Sequence, residues 1–79
     1  MALKNKATDA QIQTIYRWIE WQMSTAEARA AAKWLRDNAT REEASKEIKR
    51  LYALYHNHSL TKEECFNSEV WKRYDGKLI

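Results

Sequence analysis

The sequence predicts an all-α fold, a compact bundle of about four short helices that forms one domain over residues 1–79. Proline is absent and glycine occurs once, which disfavours sandwiches and barrels, whose tight turns need these residues. The 4 Trp, 4 Tyr and 1 Phe can fill a core and disfavour disorder. Before each of four apolar stripes, a Ser or Thr is followed three residues later by Gln or Glu. This pattern is the capping box, whose two side chains accept hydrogen bonds from backbone N–H groups at a helix start.

The first helix is predicted over about residues 8–23 and begins at the capping box of Thr8 and Gln11. At about 100° per residue, Trp21 falls almost opposite the apolar stripe of this helix, and Trp18 lies at its flank. A small bundle buries both faces only if a further segment covers Trp21. Trp21 is therefore either covered or an exposed contact aromatic. The stripe consists of Ile12, Ile15, Tyr16, Ile19 and Met23.

The second helix is predicted over about residues 25–37 and begins at the box of Ser24 and Glu27. Its inner face is made of small side chains, so this helix can approach a neighbour closely. The inner residues are Ala28, Ala31, Ala32 and Leu35. The opposite side carries the basic residues Arg29, Lys33 and Arg36.

The third helix is predicted over about residues 41–56 and begins at the box of Thr40 and Glu43. The polar run 56–59 interrupts its periodicity and marks its end. Its apolar stripe is Ala44, Ile48, Leu51 and Tyr55, widened by Leu54. Its outward side carries Lys46, Lys49 and Arg50.

The fourth helix is predicted over about residues 62–75 and begins at Thr61 and Glu64, with Leu60 packing before the cap. Asp75 and Gly76 are typical of a helix end. One side of this helix carries Phe66, Val70 and Tyr74, flanked by Trp71. Residues 1–6 and 77–79 are predicted to fray.

The net charge of +3 and the pI of about 9.1 permit contact with nucleic acid or an acidic protein without requiring either. The single cysteine, Cys65, excludes an internal disulfide and favours a cytoplasmic location. No apolar run reaches the roughly 18 residues of a membrane span, so no membrane association is expected. No apolar stretch follows the first lysines, so no secretory signal is predicted.

The residues that could support catalysis or metal binding are few. His56, His58 and Cys65 are the available zinc ligands, but their spacing matches no structural zinc pattern, so we expect no metal and no cofactor. Cys65 and a histidine could form a nucleophilic pair, but a bundle of this size leaves little room for a substrate pocket. The sequence therefore predicts a protein that is not an enzyme.

Three binding hypotheses follow from the aromatic and basic residues. The first is binding of a larger protein, with contact aromatics Trp18, Trp21 and Trp71 and a charged rim of Arg29, Lys33 and Arg36. The second is nucleic-acid binding by the basic faces of helices two and three, using Lys46, Lys49, Arg50 and Trp34. The third is self-association into a structural homodimer through the same aromatic surface.

Residues 7–12 (ATDAQI) and 39–51 (ATREEASKEIKRL) together resemble a small helical module of phage and bacterial proteins. That module pairs an Ala-Thr-x-x-Gln start with a later Thr-x-x-Glu-Ala-Ser-x-x-Ile-x-x-Leu segment, and the similarity covers roughly residues 7–55. The resemblance implies no catalytic residues. By analogy of size and style, it implies a small phage or mobile-element accessory protein. Such a protein would bind and modulate, or inhibit, a larger host complex such as a defence system.

Overall fold

The computed structural model describes residues 5–74, and within this range the chain is helical with no β-strand, as the predicted all-α class requires. The predicted helix end at Asp75 and Gly76 and the predicted frayed tail lie outside the described residues. The five helices are α1 (Asp9–Ile19), α2 (Thr25–Asn38), α3 (Arg41–His56), α4 (Lys62–Cys65) and α5 (Glu69–Lys72).

The predicted helix starts are confirmed. In the boxes that begin at Thr8, Ser24 and Thr40, the cap hydroxyl accepts from the backbone N–H three residues on, and the Gln or Glu there accepts from the cap N–H. At Thr61 the hydroxyl accepts from the N–H of Glu64, but the return bond is not formed. The three long helices therefore begin at complete capping boxes. The fourth begins at a cap in which one of the two hydrogen bonds is formed.

Helix α1 packs against both α2 and α3. The inner face of α2 is mostly small, as the sequence predicts, and Ala28 and Ala31 on it are fully buried. The α1 side chains of this core are Ile12, Ile15 and Ile19, and their main partners are Ala28, Ala31, Ala32 and Leu35 of α2 and Ala44 and Leu51 of α3.

Helix α1 ends at Ile19, about one turn earlier than predicted. Ser24 already has the extended conformation of the next N-cap, with φ −66° and ψ 157°, so the chain must reverse between Ile19 and Ser24. Trp21 therefore lies in a turn and not on a helical face.

The predicted fourth helix is wrong as one continuous element. It is two single turns, α4 and α5, separated by the segment 66–68. Asn67 and Ser68 are poor helix formers, and Ser68 is extended, with φ −153°. The guanidinium of Arg50 donates to the carbonyls of Glu64 and Cys65, so the carbonyls at the end of α4 have partners without further helix.

This break brings Trp71 of α5 into the core. Its ring stacks against Trp34 of α2 at 5.9 Å and meets Phe66 edge-on at 4.8 Å. Its indole N–H donates to the Glu47 carboxylate of α3 at 3.0 Å. Helix α1 thus packs against α2 and α3, and Trp71 of α5 contacts both α2 and α3.

Asn5 and Lys6 are held to the body of the protein and do not fray as predicted, whereas residues 1–4 of the predicted frayed segment lie outside the described residues. Lys6 and Thr40 form an isolated antiparallel bridge. The N–H of Ala7 donates to the carbonyl of Ala39 at 3.1 Å, and the N–H of Arg41 donates to the carbonyl of Asn5 at 2.6 Å. This pairing ties the start of α1 to the junction of α2 and α3.

The end of α3 is a Schellman motif. The N–H of Ser59 donates to the carbonyl of Leu54 at 2.8 Å, and the N–H of His58 donates to that of Tyr55 at 3.1 Å. His58 occupies the left-handed position of this motif, with φ 55°. Glycine is the usual residue there, because a Cβ atom is disfavoured in this conformation.

Candidate functional site

The large apolar side chains that are most exposed within residues 5–74 lie together where α1 and α3 meet. They are Trp21, 60% exposed, Tyr52, 55% exposed, and Tyr55, 48% exposed. We call this surface the aromatic patch and define it as Trp18, Trp21, Tyr52, Tyr55 and His56. Single exposed apolar residues are ordinary on a protein surface, but a cluster of them is typical of an interaction site.

Ring contacts connect Trp21, Tyr52, Tyr55 and His56, and Trp18 lines a surface cavity together with Trp21 and Tyr55. The rings of Trp21 and Tyr55 lie 5.9 Å apart at 44°, and His56 lies 5.8 Å from Tyr55. His56 also meets Tyr52 edge-on at 4.2 Å. Such tilted and edge-on pairs hold the rings in place without removing them from solvent. The patch is therefore a preordered surface.

A surface cavity of about 310 Å³ opens into the patch between α1 and α3. Trp18, Trp21 and Tyr55 form its aromatic walls, and Thr14 and Arg17 complete its lining. No carboxylate is part of this lining. The residue with a formal charge at the cavity is Arg17, which is exposed. A binding partner with apolar side chains and a negative rim would suit this surface.

The sequence identified only part of the aromatic patch. Trp18 is partly buried and Trp21 exposed, and both line the same cavity. The sequence places Tyr55 in the apolar stripe of α3, yet Tyr55 is 48% exposed, and Tyr52 is not among the predicted contact aromatics. The spacing of Tyr52, Tyr55 and His56 within a single turn was the available signal, because residues three and four apart on a helix are neighbours.

Trp71 is not a contact aromatic. Its side chain is 2% exposed and packs among Trp34, Phe66 and Tyr74. The sequence predicts Trp71 at the flank of a continuous helix, but the break before α5 turns it inward. Trp71 is therefore a core residue, and the predicted contact aromatics that reach the surface are Trp18 and Trp21.

The basic residues predicted as a rim do not surround the aromatic patch. Arg29, Lys33 and Arg36 line a separate cavity of about 290 Å³ between α1 and α2. Its other lining residues are Ile12, Tyr16 and Ala32, none of which lines the cavity at the aromatic patch. Tyr16 and Trp18 are two residues apart on α1 and point about 200° apart. The two cavities are therefore on different sides of α1.

The residues of the nucleic-acid hypothesis are also separated. Lys46 and Lys49 are exposed, but Arg50 donates to Glu47 and to two carbonyls of α4. Trp34 is partly buried and its ring lies against Trp71 and Tyr74. Two of the four predicted residues are thus engaged in contacts within the protein.

Glu47 lies between the basic residues Lys46 and Arg50 of the nucleic-acid hypothesis, yet its side chain is buried, at 3% exposure. Its carboxylate accepts from Arg50 at 3.2 and 2.7 Å and from the indole of Trp71 at 3.0 Å. Arg50 in turn donates to the end of α4, as described above. A charged group with paired hydrogen bonds is the form in which a carboxylate is tolerated in a core.

His56, His58 and Cys65 do not come together among the described residues. His56 and His58 are exposed near the end of α3, whereas Cys65 is fully buried in α4. Across the part of the chain that the structure describes, no three side chains of metal-binding type form a group. Burial raises the pKa of the Cys65 thiol to about 12, against a smaller lowering by Arg50, so the thiol is protonated at neutral pH.

Comparison with known proteins adds no assignment: no family model, no curated protein and no solved structure matches this chain. Within residues 5–74, none of the helices combines the length and the apolar character that crossing a bilayer requires.

Proposed function

We propose that this chain is a non-enzymatic binding module that docks a larger protein through the aromatic patch. The observation that carries the proposal is the gathering of Trp21, Tyr52 and Tyr55, the most exposed large apolar side chains among residues 5–74, into one ring-connected surface. Trp and Tyr dominate binding hot spots because they bury a large area while few rotatable bonds are immobilised.

The charges around the patch favour a partner whose docking surface is acidic at its edge. Arg17 lines the cavity, and Lys49 lies one turn before Tyr52 on α3. No carboxylate lies within 4.0 Å of either cation among the described residues. The accessory role in a phage or mobile element, expected from the sequence resemblance, is carried forward with this proposal.

The test is affinity capture from a host lysate with the wild-type chain and with Trp21→Ala/Tyr55→Ala, followed by quantitative mass spectrometry. We expect partners retained by the wild type to be depleted at least about tenfold by the double variant, because hot-spot truncations cost 2 kcal/mol or more. Both side chains are about half exposed or more, so the variant keeps the wild-type circular dichroism.

Two controls make this test specific. Trp21→Phe keeps an aromatic anchor and retains part of the binding. Arg29→Ala/Lys33→Ala alters the other cavity and leaves the capture of partners that depend on Trp21 and Tyr55 unchanged. Identical protein sets on the wild type and on the Trp21→Ala/Tyr55→Ala variant contradict the proposal. A mass in light scattering that doubles with concentration, and returns to a monomer in Trp21→Ala, identifies a second copy as the occupant.

A further inference from the structure

We propose that the cavity between α1 and α2 is a second docking site, independent of the aromatic patch, for an acidic amphipathic helix of a protein partner. We call it the basic groove and define it by its lining residues Ile12, Tyr16, Arg29, Ala32, Lys33 and Arg36. This site goes beyond the proposed function, since none of its residues belongs to the aromatic patch.

The cations of the basic groove form one row along α2. Arg29, Lys33 and Arg36 are spaced i, i+4 and i+7, so they lie on one helical face and span roughly 10 Å at about 1.5 Å per residue. A second helix that packs along α2 has the same number of residues per turn, so its side chains recur at the same spacing. Carboxylates at i, i+4 and i+7 of that helix therefore meet all three cations in register.

The charge of this row is largely unmatched within residues 5–74. Arg36 has a partner, Asp9, at 3.9 Å, with both side chains more than half exposed. Arg29 and Lys33 have no carboxylate within 4.0 Å among the described residues. An exposed ion pair such as that of Arg36 contributes little, so all three cations are available to an incoming carboxylate.

The floor of the basic groove is apolar. Ile12 and Ala32 are each 8% exposed at its base, and Tyr16 is partly buried beside them. An apolar floor below a row of charge matches a helix with a stripe of Leu or Ile beside a stripe of Glu or Asp. A phosphate backbone has no apolar group to place on this floor, so the combination favours a protein helix over nucleic acid.

The test uses synthetic helical peptides as probes. The first carries Glu at i, i+4 and i+7 beside a Leu stripe, and the second has the same composition with the Glu spacing scrambled. Binding is measured by fluorescence anisotropy, and the site is mapped by amide chemical shifts of the isotope-labelled protein. We expect the first peptide to bind at least about tenfold more tightly than the second, to weaken as salt rises, and to shift groove residues.

Charge reversal supplies the matched variants. Arg29→Glu/Lys33→Glu changes exposed side chains, so the fold is retained, and binding of the acidic peptide falls at least about tenfold. A peptide with Lys in place of Glu restores binding to this variant and fails on the wild type. Arg17→Glu, a single charge reversal at the aromatic patch, leaves acidic-peptide binding unchanged.

Three results overturn the proposal. One is equal affinity of the ordered and scrambled peptides. Another is a set of shifts centred away from the basic groove. The third is tighter binding of a single-stranded oligonucleotide that depends on Arg29 and Lys33, which assigns the groove to nucleic acid. Each outcome leaves the aromatic patch untouched, so this proposal and the proposed function fail independently.

Discussion

At the scale of single residues, the least expected contact is the buried carboxylate of Glu47. It joins three parts of the protein, because it accepts from Arg50 on its own helix and from Trp71 of α5, and Arg50 extends the network to the end of α4. Glu47 is three residues after Ala44 and four before Leu51, so helical spacing places it on the inner side of α3, but its charge predicts exposure. Only the tertiary position of Trp71 makes burial of this charge favourable.

We expect Glu47→Ala to destabilise the fold by about 3 kcal/mol, because it leaves a guanidinium and an indole N–H without their acceptor. The measurement is urea unfolding followed by circular dichroism. Glu69→Ala is the matched control, since Glu69 pairs with Lys72 at the same i,i+3 spacing but with side chains that are 93% and 68% exposed. Its effect stays within about 0.5 kcal/mol. Equal effects of the two changes would show that the Glu47 network contributes nothing special.

At the scale of the helices, the sequence gives starts more reliably than ends. Start signals are local, since a capping box lies within four residues, and all three complete boxes form as predicted. The end of a helix depends on the segment that follows it and on tertiary contacts. Helix α1 stops early because Ser24 starts α2, and the predicted fourth helix is divided where Arg50 supplies partners for the α4 carbonyls.

The aromatic patch shows the same difference between what local sequence predicts and what tertiary contacts decide. Helical periodicity leaves Trp21 either covered by another segment or exposed. Because α1 ends early, at Ile19, Trp21 lies in the following turn and is exposed. Tyr55 was assigned to the core because its spacing continues a stripe that starts at Ala44. Near the end of α3 this stripe lacks neighbouring helices to pack against. The periodicity of one helix does not show how far its neighbour extends.

The Schellman motif at the end of α3 permits a prediction about an element boundary. We expect His58→Gly to raise the free energy of unfolding by about 0.5 to 1 kcal/mol, because glycine adopts the left-handed conformation without the steric cost of a Cβ atom. Thermal unfolding measures the change. His58→Ala keeps a Cβ atom and gives no gain. A melting temperature that rises equally in both variants would assign the effect to loss of the imidazole instead.

At the scale of the whole molecule, titrating groups limit the folded state at both ends of the pH range. Burial alone would raise the pKa of Glu43, but hydrogen bonds from the backbone of Thr40 at 2.9 Å and from Arg73 at 2.8 Å hold it below its ordinary value. The hydrogen bonds of Ser24, with the nearby Lys62 ammonium, also lower the pKa of Glu27. These lowered values stabilise the fold above the ordinary carboxyl pKa of 4.5, and this stability is lost as the pH falls below it.

At alkaline pH the dependence has the opposite sign, and stability falls as the pH rises. Burial raises the pKa of the Cys65 thiol from 9.0 to about 12, so the folded state keeps a proton that the unfolded chain releases. Burial raises the pKa of Tyr74 as well. We therefore expect stability, measured by urea unfolding across pH, to be level near neutrality and to fall above about pH 9.

Cys65→Ala tests the thiol contribution to this alkaline loss. It lowers stability at neutral pH, because a fully buried side chain is truncated, but its decline between pH 9 and 12 is shallower than in the wild type. Parallel curves for the two proteins would mean that the thiol does not contribute to the alkaline transition.

The pairing of the N-terminal segment with the α2–α3 junction has a consequence for how the protein folds and opens. Most contacts in a helical bundle are local and form quickly, but the bridge joins Lys6 and Thr40, which are 34 positions apart. Its closure must follow the search of a long loop, and its opening frees α1 at one end. Opening of this bridge therefore releases one end of the helix that lines both the aromatic-patch cavity and the basic groove. Hydrogen exchange at the amides of Ala7 and Arg41 measures the lifetime of that docked state.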